Sequence, residues 1–244
     1  IPDRYNEGYG ISEIGINYAV DNNIKLIVAL DCGIKAVDKI RNAGERGVDF
    51  IICDHHNPGD ELPPAVAVLD PKRADCNYPY KHLSACGVGF KLMQAFAISN
   101  DIPFDDLAPL LDLLALSIAS DIVPITGENR IFAHFGLKQL NTNPGTGVKA
   151  IIEVCDLKNK EITISDIVFK IGPRINASGR MKLASEAVEL LVSRESEFAK
   201  NKSNTINNYN EDRKNLDKDI TDDAINLIRN DESFENRKSI VVFK

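Results

Sequence analysis

The sequence predicts an α/β fold in which a doubly wound, mostly parallel sheet precedes a helical second half and a long connecting helix. Two apolar, β-branched runs at 25–30 and 50–53 each end in polar residues, and an amphipathic segment at 34–47 separates them. This strand–helix–strand order is typical of a parallel pair joined by a right-handed crossover. From residue 83 onward the apolar residues recur mostly at helical spacing instead.

The first part of the chain contains the predicted sheet. Its third strand, at 65–69, is bounded by Pro63-Pro64 and by Asp70-Pro71, pairs that interrupt a strand. In the helix at 34–47, the side chains expected to face inward are Val37, Ile40 and Ala43. The full order that we expect is a helix at 11–23, a strand at 25–30, a helix at 34–47, and strands at 50–53 and 65–69.

Helices dominate the prediction for the second part of the chain. The expected helices are 87–99, 107–120, 129–140, 147–154, 164–170 and 183–193. Residues 107–120 are apolar nearly all round, which indicates a helix buried on several sides. Residues 172–180 combine two glycines with a proline, and we expect a loop there.

A polar segment at 195–229 carries a narrow apolar stripe, which indicates a long helix packed against one neighbour. The stripe consists of Phe198, Ile206, Tyr209, Leu216, Ile220, Ala224 and Leu227. We therefore divide the chain into a main unit at 1–193, a connecting helix at 194–232 and the start of a further domain at 233–244. Because the chain opens without a methionine and 240–244 has the composition of a strand, we expect a piece of a longer protein.

Composition and charge limit the classes of function. The net charge of −7 disfavours an extended surface for non-specific nucleic-acid binding, but not a nuclease with a few phosphate contacts at a metal-bearing cleft. No apolar run reaches the roughly 18 residues of a membrane span, so we expect no membrane association. Five cysteines without a CxxC pair are typical of a reducing cytoplasm. A zinc site of Cys53, His55, His56 and Cys76 can be drawn, but its spacing fits no common motif.

Asp54-His55-His56 is the most informative feature of the sequence. It follows the strand at 50–53 directly, and ligands of open parallel sheets bind at the C-terminal edge of the strands. Two imidazoles beside a carboxylate suit a divalent cation, and Asp54 is able to orient one of the rings. A strand end with solvated polar residues explains the tripeptide equally well.

Two further carboxylates bear on the same site. Asp31 ends the strand before Asp54, and neighbouring strand ends lie about 5 Å apart, although Asp31 could instead cap the next helix. Asp121 emerges from the buried helix at 107–120, where a carboxylate is costly unless it is paired, coordinated or solvated. Both side chains are therefore candidates for a shared cation site.

The loop predicted at 172–180 carries Arg174, Asn176 and Arg180. The planar guanidinium group suits phosphate oxygens, and glycine permits a close backbone approach. A surface loop that happens to hold two arginines is the alternative interpretation.

Together these residues resemble the DHH phosphoesterase superfamily, named for the tripeptide, and within it most closely the RecJ single-stranded-DNA exonuclease family. The matching segments keep the family's order and cover nearly the whole chain. They are 1–10 (IPDRYNEGYG), 29–33 (ALDCG), 54–56 (DHH), 83–89 (LSACGVG), 121–124 (DIVP), 127–130 (GENR) and 172–180 (GPRINASGR). The first and last of these favour RecJ over other DHH enzymes.

The resemblance implies a role for each candidate residue. The implied metal ligands are Asp31, His55 and Asp121, with Asp31 bridging two manganese or magnesium ions; the implied residues of the phosphate path are Arg174, Asn176 and Arg180. His56 is expected to lie against the scissile phosphate, with Asp54 supporting from behind. The family's first motif, an Asp-x-Asp pair that supplies further ligands, has no counterpart here, so we expect a partial metal centre and little independent activity.

The same resemblance implies that 1–193 is a DHH catalytic domain and that 233–244 begins a DHHA1-like domain. It implies a monomeric, cytoplasmic 5′–3′ exonuclease of single-stranded DNA that acts in DNA repair and recombination, with a single-strand-binding protein or a helicase as partner. One alternative is a DHH phosphoesterase of short oligonucleotides, cyclic dinucleotides or pyrophosphate. Another is a non-catalytic DHH module that binds nucleic acid or a protein, which the joint presence of Asp31, His55, His56 and Asp121 disfavours.

Overall fold

The computed structural model describes residues 1–231, 234 and 237–242. Within them, three strands form one parallel sheet in the order β1 (Leu26–Leu30), β2 (Asp49–Cys53) and β3 (Ala67–Leu69). The helix α1 (Glu13–Asp21) precedes β1, and α2 (Val37–Glu45) connects β1 to β2. The predicted α/β class and these five elements are confirmed; β2 is one residue longer than expected and the other four are slightly shorter.

The strand register aligns the three C-terminal strand ends. Leu30 pairs with Cys53, and Cys53 pairs with Leu69. The residues that follow the strands are therefore neighbours along one edge of the sheet: Asp31, Asp54 and Asp70.

Apolar side chains of α1 and α2 pack against the sheet. Ile16 of α1 and Ile40 of α2 are buried with Phe50 and Ile52 of β2 in one cluster. Burying such side chains contributes roughly 1.5–3 kcal/mol each. Of the side chains predicted to face inward from α2, Ile40 and Ala43 are buried and Val37 is half-buried.

Five helices of the second half lie close to the ranges predicted from the sequence. They are α3 (Ala85–Ser99), α4 (Leu111–Ser120), α5 (Gly127–Thr142), α6 (Thr146–Val154) and α9 (Ser185–Val192). The apolar α4 lies in the interior, with Leu114 and Ile118 fully buried. A Cβ atom at Gly136 would lie 2.2 Å from the Leu111 carbonyl oxygen, so glycine is what lets α5 approach α4 this closely. This packing fixes the position of α4, whose last residue directly precedes Asp121.

The prediction of a loop at 172–180 is wrong, because these residues form the helix α8 (Gly172–Met181). It continues from α7 (Ile164–Asp166) through a π-helical segment, Ile167–Ile171. The proline lies at the start of α8, directly after the π-helical segment, where the regular i→i−4 hydrogen-bond pattern is already interrupted. Packing overrides the weak helix propensity of the glycines and the asparagine, since Ala177 and Ser178 are fully buried.

The long connecting helix is present as α10 (Ser196–Asn230). Its first half is packed, with Ala199, Ser203, Ile206 and Asn210 buried at helical spacing. The predicted stripe does not continue as a packed face, because Leu216 and Ile220 are 51% and 56% exposed. The assignment of 194–232 as a link between domains stays a prediction.

The strand expected at 240–244 is absent from the part that the structure describes, where residues 240–242 have no regular structure. Residues 243 and 244 lie outside the described residues. A strand forms only where another strand pairs with its backbone groups. The start of a further domain at 233 stays a prediction. Among the described residues, no helix combines the length and the apolar character that crossing a membrane requires.

Candidate metal centre

His55 lies between two carboxylates at the sheet edge. Its Nε2 atom is 3.3 Å from Asp31 Oδ1 and 3.4 Å from Asp121 Oδ2. On the other side of the ring, Nδ1 is 3.2 Å from the Leu83 carbonyl oxygen, to which only an N–H can donate. The Nδ1–H tautomer therefore leaves the Nε2 lone pair facing Asp31 and Asp121, as in histidines that bind metal.

The charges around His55 favour a cation at this point. In the protonated ring, Nε2–H donates a hydrogen bond to Asp31, which raises the pKa of His55 against the opposing effect of burial, and the negative charges of Asp121 and Asp31 raise it further. Burial raises the pKa of Asp121, partly offset by His55. The carboxylates thus attract either a proton on Nε2 or a metal ion in its place.

Asp54 lies behind the two histidines and orients His56. Its carboxylate is 1% exposed and accepts backbone N–H groups from Ile34 (3.0 Å), His55 (2.8 Å) and His56 (3.2 Å). It also accepts the Nδ1–H of His56 at 2.7 Å. Burial raises the pKa of Asp54, but these four hydrogen bonds outweigh it and the net pKa is lowered, so the carboxylate stays ionised.

His56 is the exposed histidine of the cluster. Its side chain is 57% exposed, and its Nδ1 lies 4.0 Å from Asp31 Oδ1. Ligand atoms of Asp31, His55 and His56 all lie within 4.8 Å of one another. Because Nδ1–H is donated to Asp54, Nε2 is the ring nitrogen of His56 that remains available to a ligand.

Two strained backbone positions flank the cluster. Asp31 has φ 64° and Ile122, which follows Asp121, has φ 54°. Aspartate tolerates this left-handed region, whereas a β-branched isoleucine rarely occupies it. Such conformations cost about 1–3 kcal/mol and cluster at functional sites. Of the two carboxylates that face His55, Asp31 itself adopts a left-handed backbone conformation, and Asp121 directly precedes a residue that does.

The segment after Asp121 is tied in place by side chains that the sequence analysis did not assign. Asn129 is fully buried, and its Nδ2 donates to the carbonyl oxygens of His82 (2.6 Å) and Pro124 (3.0 Å). The hydroxyl of Tyr80 donates to the same Pro124 carbonyl at 2.9 Å. These bonds fix the turn that presents Asp121. Asn129 belongs to the 127–130 segment, but nothing in the sequence alone shows which carbonyls it would bind.

The three residues predicted to bind phosphate do not share one face of α8. Arg174 donates from Nε to Asn207 Oδ1 of α10 (2.7 Å) and from Nη1 to the Lys170 carbonyl (2.9 Å). Asn176 instead lines a cleft of about 1210 Å³ together with Asp31 and Asp121. Arg180 is exposed, and its carbonyl accepts the Tyr5 hydroxyl at 2.5 Å. Residues two apart on a helix point in different directions, so correcting the loop to a helix separates Arg174 from Asn176.

Asp70 is a site-edge carboxylate that the sequence analysis treated only as a strand terminator. It is 3% exposed, and its Oδ2 has no hydrogen-bond partner in the part of the chain that the structure describes. Burial raises its pKa, and the charge of Asp54 raises it further. Its position after β3, equivalent to those of Asp31 and Asp54, is the signal that could have identified it.

The donor set is rich in carboxylate groups. Cys53 is fully buried, and its burial, followed by the charge of Asp54, raises the pKa of its thiol to about 11. The cluster offers carboxylate and imidazole groups, and carboxylate oxygens suit manganese or magnesium. The fold and the cluster together define an α/β domain with a carboxylate–histidine cluster at its sheet edge that could hold a divalent cation.

Comparison with known proteins places this domain in a family. Residues 1–118 match the model described as "DHH family, N-terminal domain", and this part of the chain belongs to that family. The chain is 38% identical over 228 residues to the single-stranded-DNA-specific exonuclease RecJ of Bacillus subtilis (strain 168), covering 93% of this chain and 28% of that protein. It is 34% identical over 237 residues to RecJ of Escherichia coli (strain K12), covering 93% of this chain and 41% of the relative.

Solved structures agree with this assignment. A crystal structure of exonuclease RecJ bound to manganese superimposes with a TM-score of 0.81 at 28% identity, covering 90% of this chain and 55% of the other. RecJ from Thermus thermophilus in complex with Mn²⁺ gives a TM-score of 0.72 at 26% identity, over 83% of this chain and 31% of the other. The predicted resemblance is confirmed, and the chain spans well under half the length of the two curated relatives.

Proposed function

We propose that the natural protein containing this chain, here called the parent protein, is a metal-dependent exonuclease specific for single-stranded DNA. The observation that carries the proposal is the position of His55 Nε2, 3.3 Å from Asp31 and 3.4 Å from Asp121. The similarity to RecJ exonucleases, two of them crystallised with manganese, supports phosphodiester hydrolysis at this point.

Asp31, His55 and Asp121 would hold Mn²⁺ or Mg²⁺. When bound, such a cation supplies Lewis-acid charge at the phosphate oxygens and lowers the pKa of a water that attacks phosphorus. The chain's own residues prepare this site: Leu83 keeps the His55 proton on Nδ1, and ionised Asp54 keeps the His56 proton on Nδ1.

His56 would contact the scissile phosphate through Nε2. Its ring is exposed and held by Asp54, so a protonated Nε2 could donate a hydrogen bond to a non-bridging oxygen without reorientation. Asn176 and Arg180 would lie along the phosphate path on one face of α8. The phosphate-binding role of Arg174 stays a prediction, and it now requires the guanidinium to leave Asn207.

The finer assignments rest on the sequence resemblance alone and are part of the proposal. They are 5′–3′ polarity, action in DNA repair and recombination, a cytoplasmic and monomeric protein, and a single-strand-binding protein or helicase as partner. A DHH phosphoesterase of short substrates would use the same cluster, so the geometry alone does not separate the two activities. The relatives' specificity for single-stranded DNA favours the exonuclease.

The test compares three substrates with the purified parent protein and Mn²⁺: a long single-stranded oligonucleotide labelled at either end, a dinucleotide, and pyrophosphate. We expect release of mononucleotides from the 5′ end of the long strand with the highest kcat/KM. A preference for the dinucleotide or pyrophosphate would replace the exonuclease by the small-substrate enzyme. Absence of hydrolysis of all three would support the non-catalytic module.

A further inference from the structure

We propose that Lys72 binds the DNA phosphate next to the scissile one, as a charged contact on the β3 side of the metal centre. The inference rests on the proposed function and adds to it a substrate-binding residue outside the segments that resemble the RecJ family. Lys72 follows Asp70-Pro71 at the C-terminal end of β3.

The backbone position of Lys72 is fixed by the sheet edge. Asp54 and Asp70 follow the paired residues Cys53 and Leu69, so Lys72 begins beside the segment that carries His56. The backbone N–H of Lys72 donates to Asp70 Oδ1 at 2.8 Å. This bond holds the turn after β3 at the same edge of the sheet as His55 and His56.

Within the described part of the chain, the side chain of Lys72 differs from its cationic neighbours in having no partner. Arg73 is held by Asp75 at 3.0 and 2.6 Å, and Lys81 donates to the Cys76 carbonyl at 2.6 Å. Among the described residues, no hydrogen bond or carboxylate within 4.0 Å engages the Lys72 ammonium group, although the residue is half-buried. An unpaired ammonium group beside a nuclease site is suited to a phosphate oxygen.

The charge of Lys72 acts on the buried carboxylate at this edge of the sheet. Burial raises the pKa of Asp70, and the positive charge of Lys72 offsets part of that rise. The ammonium group is therefore close to the end of β3, next to the strand that leads to His55 and His56.

The sheet spacing indicates which phosphate Lys72 reaches. Asp31 follows β1 and Lys72 follows β3, and β2 lies between them, so about 10 Å separates the two strands. A phosphate held at Asp31, His55 and Asp121 and the side chain of Lys72 therefore lie on opposite sides of His55. The adjacent phosphate of the same strand is the one that Lys72 is placed to meet.

The experiment uses the parent protein with Lys72→Gln, Lys72→Arg and, as matched control, Lys25→Gln, which removes an exposed lysine just before β1 at the opposite edge of the sheet. We measure kcat and KM on single-stranded DNA at several salt concentrations, together with Mn²⁺ affinity. Lys72→Gln should raise KM about tenfold, as expected for loss of one charged hydrogen bond. The slope of log KM against log salt should fall by about 0.7, the value for one phosphate contact on a single strand.

Lys72→Arg should restore most of the KM and the salt slope, while Lys25→Gln should match wild type in both. Mn²⁺ affinity should stay within about twofold of wild type in all variants, because Lys72 binds substrate and not the ion. An unchanged KM and salt slope in Lys72→Gln would overturn the inference. So would a parallel loss of Mn²⁺ affinity and thermal stability that Lys72→Arg does not rescue, since that pattern marks a structural residue.

Failure of the proposed function is distinguishable from failure of this inference. If wild type does not cleave single-stranded DNA, the exonuclease assignment falls. The role of Lys72 is then decided by fluorescence anisotropy with a single-stranded oligonucleotide and Mn²⁺. A wild-type salt slope in Lys72→Gln overturns it there, and a reduced slope supports it.

Discussion

Asp54 Oδ1 lies 2.7 Å from Nδ1 of His56, and the same carboxylate accepts the backbone N–H groups that begin the turn after β2. One buried side chain therefore fixes both the path of the chain through the tripeptide and the tautomer of its last ring. This explains why an aspartate precedes the two histidines, although it does not face the point where Asp31, His55 and Asp121 meet.

Replacing Asp54 by asparagine should reduce catalysis and stability together. The amide keeps one acceptor oxygen but removes the charge that four hydrogen bonds stabilise. We expect kcat of the parent protein to fall by roughly 10–100-fold, as for other groups that orient catalytic ligands. Urea unfolding should show a loss of about 1–3 kcal/mol. A variant with wild-type kcat would show that the orientation of His56 is unimportant.

Arg174 and Asn207 should act as a structural pair. Arg174→Ala and Asn207→Ala are each expected to lower the free energy of unfolding by about 1 kcal/mol, and the double variant by less than the sum, because one hydrogen bond is shared. Thermal melts of the four proteins measure this coupling. Additive losses, combined with a large rise in KM for Arg174→Ala alone, would instead restore Arg174 as a direct phosphate ligand.

Asn176→Ala is the counterpart on the cleft-facing side of α8. The side chain is exposed and lines the cleft shared with Asp31 and Asp121. We expect KM for single-stranded DNA to rise a few-fold with an unchanged melting temperature, since removing one exposed polar contact costs about 1 kcal/mol of binding. A lowered melting temperature with an unchanged KM would assign Asn176 to packing.

Asp70 should make stability depend on pH. Burial, then the charge of Asp54, raises its folded pKa above the unfolded value. Its stabilising contribution is therefore present below the unfolded pKa and is lost as the pH rises through the folded pKa. Asp70→Asn carries no charge at any pH, so its melting temperature relative to wild type should increase from about pH 4 to about pH 7. A pH-independent difference would contradict the raised pKa of Asp70.

The sequence predicted the strand ends well because β-branched runs and proline pairs mark them directly. Asp31, Asp54 and His55 could be placed at one edge because parallel strands share their polarity. The helix at 172–181 was missed because local propensity favours a loop, whereas burial of Ala177 and Ser178 decides the structure. The buried Oδ2 of Asp70 and the unpaired state of Lys72 among the described residues depend on how the turn after β3 packs, which no local pattern shows.

The central claim is that Asp31, His55 and Asp121 form a divalent-cation site. Its most direct test is Mn²⁺ binding to the parent protein, measured from the free-ion electron paramagnetic resonance signal, for wild type, His55→Ala and the control His134→Ala, an exposed histidine of α5. We predict that His55→Ala weakens Mn²⁺ binding at least about tenfold and abolishes hydrolysis, whereas His134→Ala behaves as wild type. Wild-type Mn²⁺ affinity in His55→Ala would contradict the account.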